Sequence, residues 1–362
     1  MRRHHHLHVL LALPLSACGT PSATTGFAAA GGDVISTSDP SSSSSYSTST
    51  STSTSTTSST SAPADDLPPD GSSSGPVPDF GGPVGCGGKI DFLFAINSAS
   101  TMKSSLPLVT AHLPKFIAQI GENFADINTH IMVVNGTSFW GSVACQGCKG
   151  TCDAGPPEYP CVSQSPGGLE ACDTISGAGD TFPVGWNTAN KRCKVGGNRY
   201  IVNGTPNEAE TFLCLANVGA NGGSPQGQVN ELRAALSEEN NAPGGCNAAF
   251  LRPDALLVLV VIADGGDDYS KGTVAEWKAE VAARKGGDAG RVVLLVVATD
   301  IDLKDHLCWP FEEQDPVKQK LREWVEVMPH AVMGSICAPD WSPFLDLTVE
   351  MVLDQCEVFV PQ

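Results

Sequence analysis

Residues 89–102, KIDFLFAINSASTM, constrain the fold of this chain more than any other stretch. Residues 90–96 are apolar apart from Asp91, and the small or polar residues 97–101 follow them directly. An apolar run of this length is typical of a strand that is buried on both faces, as in a parallel sheet. Because small residues at the end of such a strand leave room for a ligand, we expect the functional surface there.

After this stretch, continuous apolar runs alternate with segments whose apolar residues recur at helical spacing. Strands are predicted at 127–135, 255–263, 291–299 and 330–336, and helices at 104–120, 226–239, 273–285, 316–327 and 341–356. This alternation predicts an α/β fold, with a doubly wound, mostly parallel sheet and helices on both faces. Pro114 is expected to kink the first helix or to mark its true start, and His130 to be an exposed strand residue.

The first residues of the chain are typical of an export signal. Residues 1–17 begin with Arg2 and Arg3, continue into a short apolar run and end directly before Cys18. The sequence Leu-Ser-Ala-Cys at 15–18 resembles the lipobox of bacterial lipoproteins. We therefore expect cleavage before Cys18, a lipid on its sulfur and, because Gly19 follows, a position at the outer membrane. The alternative is an ordinary signal peptide that is cut after residue 17.

Residues 18–85 are dominated by Ser, Thr, Pro and Gly, which predicts a disordered tether between the lipid and a folded domain at 86–362. The whole chain has 21 basic and 39 acidic residues, a net charge of −18. This charge disfavours nucleic acid and anionic lipid headgroups as partners. We expect the N-terminal lipid to be the only contact with a membrane.

Thirteen cysteines are present, and twelve of them follow Cys18. An even number in an exported chain predicts up to six disulfides, for which we expect the pairs Cys86–Cys356, Cys308–Cys337 and Cys214–Cys246. Seven cysteines lie in a Gly- and Pro-rich insertion at 136–214 that has little periodicity. The spacing of Cys145 and Cys148 also suits half of a zinc site, although export favours disulfides.

Four segments carry a resemblance to a known family. They are DFLFAINSASTM at 91–102, FLRPDALLVLVVIAD at 250–264, the acidic Asp267-Asp268-x-Ser270 and GSICAPDW at 334–341. Together they resemble the von Willebrand factor type A domain, and most closely its lipoprotein branch in myxobacteria and their relatives. The resemblance covers residues 86–358. It implies a divalent cation held by a D-x-S-x-S motif after the first strand, a Thr from a later loop and an Asp after the fourth strand.

Only part of that ligand set is present. Asn97 stands where the motif has Asp, Ala99 and Thr101 stand where it has its two Ser residues, and Ala220 stands at the Thr, while Asp264 is retained. The resemblance therefore implies a degenerate cation site with Asn97, Thr101 and Asp264 as its remaining ligands. Because Mg²⁺ dehydrates reluctantly, we expect Mg²⁺ or Ca²⁺ to bind weakly or not at all.

Neighbouring acids offer compensation for the lost ligands. Asp267 and Asp268 lie just beyond the predicted strand 255–263, and Asp300, Asp302 and Asp305 follow the predicted strand 291–299. Ca²⁺ accepts irregular oxygen cages of this kind more readily than Mg²⁺ does. The alternative is that they are solvated loop acids, since the chain has 39 acidic residues.

These observations predict a lipid-anchored binding or adhesion module whose partner is a protein or a glycan. An ion-dependent adhesion protein, a degenerate scaffold and a secreted hydrolase using Ser98 or Ser100 with a histidine are the alternatives. The sequence has neither a G-x-S-x-G nor an H-E-x-x-H motif. We therefore do not expect an enzyme.

Overall fold

Six strands form one sheet in the computed structural model, which describes residues 85–135, 170–183, 188, 191–220, 227–308 and 318–360. The strands are β1 (Lys89–Ile96), β2 (Asn128–Asn135), β3 (Ile201–Val202), β4 (Leu256–Ile262), β5 (Val292–Ala298) and β6 (Ala331–Ser335). Their order is β3-β2-β1-β4-β5-β6, and all neighbours are parallel except β2 and β3. The predicted α/β fold with a mostly parallel sheet is confirmed.

Helices cover both faces of this sheet. They are α1 (Leu106–Asn123), α2 (Glu208–Ala216), α3 (Gln228–Ala235), α4 (Glu238–Asn241), α5 (Val274–Ala283), α6 (Lys320–Val327) and α7 (Ser342–Val358). Alternate residues of β1 point to opposite faces. Phe92 and Phe94 pack with α1, α2 and α7, whereas Leu93 and Ala95 pack with α3, α5 and α6. In the part of the chain that is described, no helix has the length and apolar composition of a membrane span.

The predicted elements have counterparts whose ends differ by a few residues, and one predicted helix is divided. Helix 226–239 is replaced by α3 and α4, because the Ser237 hydroxyl accepts the Asn240 N–H at 3.2 Å and starts a new helix. Pro114 lies inside α1, which begins at Leu106. Pro114 therefore does not mark the start of this helix.

The insertion contains more regular structure than its sequence predicts. Both β3 and α2 lie within or at the end of 136–214, a range that we expected to lack such elements. The α2 helix is anchored by Phe212, whose ring lies 4.9 Å from that of Phe94 in β1. Tertiary packing therefore stabilises a helix that is too short to show a clear period. Residues 136–169 lie outside the described part of the chain, as do residues 1–84 with the predicted signal, Cys18 and tether.

Four disulfides join described cysteines. The pairs Cys86–Cys356 and Cys308–Cys337 agree with the prediction. The predicted pair Cys214–Cys246 is wrong, since the structure pairs Cys193 with Cys214 and Cys172 with Cys246. Cys214 lies in α2 on one face of the sheet, whereas residue 246 follows α4, which packs beside α3 on the other face. The other pairings and the zinc alternative concern Cys145, Cys148, Cys152 and Cys161, which lie outside the described residues.

A buried cluster of charged groups ties β1 to the segment before β4. The Asp91 carboxylate is fully buried and accepts the backbone N–H of Arg252 at 2.8 Å and its Nε–H at 2.7 Å. The Lys285 ammonium lies 3.7 Å from Asp91 and donates to the carbonyl of Ala255 at 3.0 Å. His130 is also part of this cluster, since its side chain is only 12% exposed and its Nδ1 lies 3.7 Å from Asp91. The prediction that His130 is exposed is therefore wrong.

Candidate functional site

The candidate site lies where β1 and β4 end. The chain runs from β1 to β2 on one side of the sheet and continues through β4 and β5 on the other side, so the strand order reverses between β1 and β4. In open α/β sheets ligands bind outside the carboxyl ends of the strands at such a point. The Asn97 N–H donates to the carbonyl of Ile262 at 2.8 Å, which extends the pairing of β1 with β4 by one residue. Asn97 and Asp264 are thereby placed side by side.

The side chain of Asn97 has a defined orientation. Its Oδ1 accepts the backbone N–H of Ala99 at 2.7 Å, and its Nδ2 donates to Asp264 Oδ1 at 2.8 Å. Because the Ala99 N–H requires an acceptor, the amide oxygen must face Ala99 and the amide NH₂ must face Asp264. The carbonyl oxygen that we expected to serve as a cation ligand is already used within the loop.

Thr101 completes the group of three predicted residues. Its hydroxyl lies close to the Asp264 carboxylate. Burial raises the pKa of Asp264 above its usual value, and the nearby Thr101 hydroxyl opposes this effect. Asn97, Thr101 and Asp264 therefore meet at one point, as the sequence predicts, and the Asn97 amide donates to the Asp264 carboxylate.

This arrangement does not fit a resident Mg²⁺ or Ca²⁺. Such an ion needs about six or more oxygen ligands, but Asn97 presents an N–H group to the site. Ala99 and Ala220 are 5% and 2% exposed and bring no side-chain oxygen. The Asp264 carboxylate accepts the Asn97 amide N–H and has the Thr101 hydroxyl nearby. Among the described residues, no group of three or more His, Cys, Asp or Glu side chains is arranged to hold a metal.

Asp267, which we expected to be an accessory ligand, caps a helix. Its two carboxylate oxygens accept the backbone N–H groups of Gln228 at 3.1 Å and Val229 at 2.8 Å, in the first turn of α3. The Ser270 hydroxyl donates to it at 2.8 Å. Burial raises the pKa of Asp267 to about 6 against these hydrogen bonds. The carboxylate thus satisfies the N-terminus of α3, whereas Asp268 beside it is exposed to solvent.

The second acidic group also has structural partners. Asp300 is 5% exposed and accepts the backbone N–H groups of Leu307 and Cys308, both at 2.8 Å. Asp302 accepts two hydrogen bonds from Arg322, at 2.6 and 2.9 Å. Asp305 is exposed. Since Asp300 and Asp302 are committed to a turn and an ion pair, this group does not form the cation cage that the sequence offered as compensation.

The sequence reasoning missed a polar group at the end of β2. The Asp180 carboxylate accepts the Asn135 amide N–H at 2.8 Å, and the Asp180 backbone N–H donates to the carbonyl of Val133 at 2.7 Å. Burial raises the pKa of Asp180 to about 7, although the nearby Arg199 opposes it. These contacts attach residues 170–183 of the insertion to the same edge of the sheet. No periodicity in the insertion signals this role.

A neighbouring carboxylate holds the same segment. Glu231 of α3 accepts the Ser176 hydroxyl at 2.9 Å and the Gly177 N–H at 2.8 Å. Burial raises the pKa of Glu231 against these two bonds. The described part of the insertion is therefore joined both to the end of β2 and to α3, close to the carboxyl edge of the sheet.

Comparisons with known proteins leave the family open. No protein-family model matches the chain, and no curated protein matches it. Among solved structures, the chain is similar to proximal thread matrix protein 1 of the mussel byssus, with 14% sequence identity and a TM-score of 0.35. The similarity covers 75% of this chain and 47% of the byssus protein, so the chain spans about half the length of that protein. A likeness this low carries no argument about fold or function.

Proposed function

We propose that this chain is a binding module of the von Willebrand factor type A kind that is attached to the bacterial envelope by a lipid on Cys18. It holds a protein or glycan partner with the carboxyl edge of its sheet and the Cys-rich insertion, and it does so without a resident cation. The family assignment is supported by the sequence similarity at 91–102 and 250–264. The lipid anchor is supported by the sequence around Cys18.

One observation carries the cation-independent part of this proposal. The Asn97 amide donates to Asp264, with the Thr101 hydroxyl nearby, at the place where the strand order reverses. A neutral donor within the loop thus bonds to this carboxylate, which supports a loop that orders without a metal ion. A surface that is ordered in this way is ready to contact a partner in the absence of Mg²⁺ or Ca²⁺.

The experiment is saturation binding of the purified, non-reduced chain to an immobilised envelope preparation from the cells that encode it. We expect the same dissociation constant in buffer with MgCl₂ and CaCl₂ and in buffer with EDTA. Loss of binding in EDTA would favour the ion-dependent alternative. If no saturable binding occurs in either buffer, the binding-module proposal is wrong.

A deletion tests the contribution of the insertion. Residues 136–169 are replaced by a short Gly/Ser linker, which leaves the Cys172–Cys246 and Cys193–Cys214 disulfides in place. We expect weaker binding to the envelope preparation, with both disulfides still formed. Binding at full strength would restrict the contact surface to the carboxyl edge of the sheet.

A further inference from the structure

The loop that follows β5 leaves an unusual number of apolar side chains in solvent. Ten large hydrophobic side chains are exposed among the described residues. Three of them lie in one seven-residue stretch of this loop, 301–307. Ile301 is 39% exposed, Leu303 41% and Leu307 60%. Single exposed apolar residues are ordinary, but a local group of them is a feature of contact surfaces. Residues 300–308 are called the Asp300 loop below.

Hydrogen bonds fix the shape of the Asp300 loop. The buried Asp300 carboxylate accepts the backbone N–H groups of Leu307 and Cys308, and the carbonyl of Asp300 accepts the Leu303 N–H at 2.9 Å. Asp300 therefore fixes the backbone at Leu303 and Leu307, two of the three exposed aliphatic residues. A loop held in this way keeps its leucines in solvent, because turning them inward would break these hydrogen bonds.

Two further links fasten the loop to the domain. The Cys308–Cys337 disulfide ties its end to the segment after β6, and Asp302 forms an ion pair with Arg322 in α6. A preordered loop loses little conformational entropy when it is bound. The loop is thus built to present apolar side chains to a partner.

Charge indicates the kind of partner. Asp305 is exposed between Leu303 and Leu307, and Asp268 is exposed beside Tyr269, which is 67% exposed in the loop after the neighbouring strand β4. Within the described residues neither acid forms an ion pair. Lys304 is the one lysine or arginine of the Asp300 loop. Acids beside exposed apolar groups match a surface that has basic side chains around an apolar pocket.

We propose that the Asp300 loop is the apolar contact with which the chain holds a protein partner, whose own surface is an apolar pocket bordered by Lys or Arg. This inference rests on the proposed binding function and names the class of partner. An anionic bilayer is a poor occupant, because the chain has a net charge of −18 and the loop has an exposed acid. A glycan offers no apolar pocket for three aliphatic side chains.

The test compares variants in the envelope-binding assay. Leu307→Asp should weaken binding at least tenfold, whereas Leu307→Met, which remains apolar, should bind within twofold of the wild type. Leu347→Asp is the matched control, since Leu347 is 45% exposed on α7, outside the Asp300 loop. Its binding should not change. Equal binding by the wild type and Leu307→Asp would overturn the inference while leaving the binding function intact.

A charge-reversal variant, protease treatment and lipid vesicles test the chemistry of the partner. Asp305→Lys should weaken binding at low salt, and the difference in affinity from the wild type should shrink at high salt. Equal affinity of the variant and the wild type at both salt concentrations would overturn the proposal that Lys or Arg borders the partner's pocket. Protease treatment of the envelope preparation should abolish binding, and retained binding would identify a glycan and overturn the protein partner. Vesicles of phosphatidylethanolamine and phosphatidylglycerol should not bind, and binding that Leu307→Asp removes would overturn the inference in favour of lipid.

Discussion

The amide NH₂ of Asn97 donates to the Asp264 carboxylate at 2.8 Å, while the amide oxygen of Asn97 accepts the Ala99 N–H at 2.7 Å. An aspartate at position 97 would keep the bond to Ala99 but would place a second carboxylate against Asp264. Two carboxylates in contact repel each other unless a cation or a proton lies between them. The asparagine therefore decides whether this site needs an ion.

The double variant Asn97→Asp with Ala99→Ser should bind Mg²⁺ at least about tenfold more tightly than the wild type, a gain of ~1.4 kcal/mol. It gains one carboxylate and one hydroxyl beside Asp264, both of which are ligands that Mg²⁺ prefers. Isothermal titration calorimetry with MgCl₂ measures the difference. Adding Asp264→Asn to the double variant is the control and should remove the gain. Equal Mg²⁺ affinity in the wild type and the double variant would contradict the description of this site.

Asp91→Asn should lower the free energy of unfolding by about 3–5 kcal/mol, because it leaves Arg252 and Lys285 buried without their carboxylate. Urea unfolding of the non-reduced protein measures this loss. Asp254→Asn is the matched control, since its ion pair with Lys89 has side chains that are 37% and 38% exposed. Such a pair contributes about 0–1 kcal/mol. Equal losses for the two variants would show that burial does not determine the role of Asp91.

The sequence predicts the sheet and the meeting of Asn97, Thr101 and Asp264, because fully apolar strands belong to parallel sheets whose carboxyl ends share one edge. It does not predict the role of Asp267. That role depends on α3, whose first residue lies 39 positions earlier in the chain and whose N-terminus comes to rest above the end of β4. The direction in which Asn97 turns its amide is likewise set by the local path of the loop.

The disulfides show the same limit. Cys86 and Cys356 lie near the two ends of the domain, so their pairing follows from the closure of the fold. The partner of Cys214 depends on the face of the sheet that α2 covers, and a short helix with little periodicity does not reveal its face. The disulfide partners inside a Cys-rich insertion therefore cannot be predicted without the tertiary structure.

Non-reducing peptide mapping by mass spectrometry should find Cys193 linked to Cys214 and Cys172 linked to Cys246, with no free thiol on any cysteine after Cys18. A peptide that links Cys214 to Cys246 would contradict the structure.

Replacing Cys356 and its partner Cys86 by Ser should lower the free energy of unfolding by about 2–5 kcal/mol, because their bond closes a long loop.

Cys18→Ala should abolish lipid attachment, because the sulfur of this residue is the proposed site of acylation. Metabolic labelling with a palmitate analogue and fractionation of the cells measure the change. The wild type should be labelled and recovered with membranes, whereas the variant should be unlabelled and carry its signal sequence. Ser16→Ala, which keeps the cysteine, is the control. Unchanged labelling in Cys18→Ala would refute the lipid anchor.

Asp180→Asn should make the stability of the domain less dependent on pH. In the folded protein, burial raises the pKa of Asp180 from 3.8 to about 7, so folding takes up a proton between these values. The stability that this group contributes is full below pH 3.8 and is lost as the pH rises through about 7. The wild type should therefore lose on the order of 1 kcal/mol per pH unit from this group across the window.

Urea unfolding of the two proteins at several pH values between 4 and 8 measures this effect on the Asp180 carboxyl, whose pKa is about 7. Asn keeps an acceptor for the Asn135 amide and does not titrate, so the variant should be nearly as stable as the wild type at low pH and more stable above pH 7. Asp268→Asn is the control, because this acid is exposed. Parallel stability curves for the wild type and Asp180→Asn would show that Asp180 does not take up a proton when the insertion docks on the sheet.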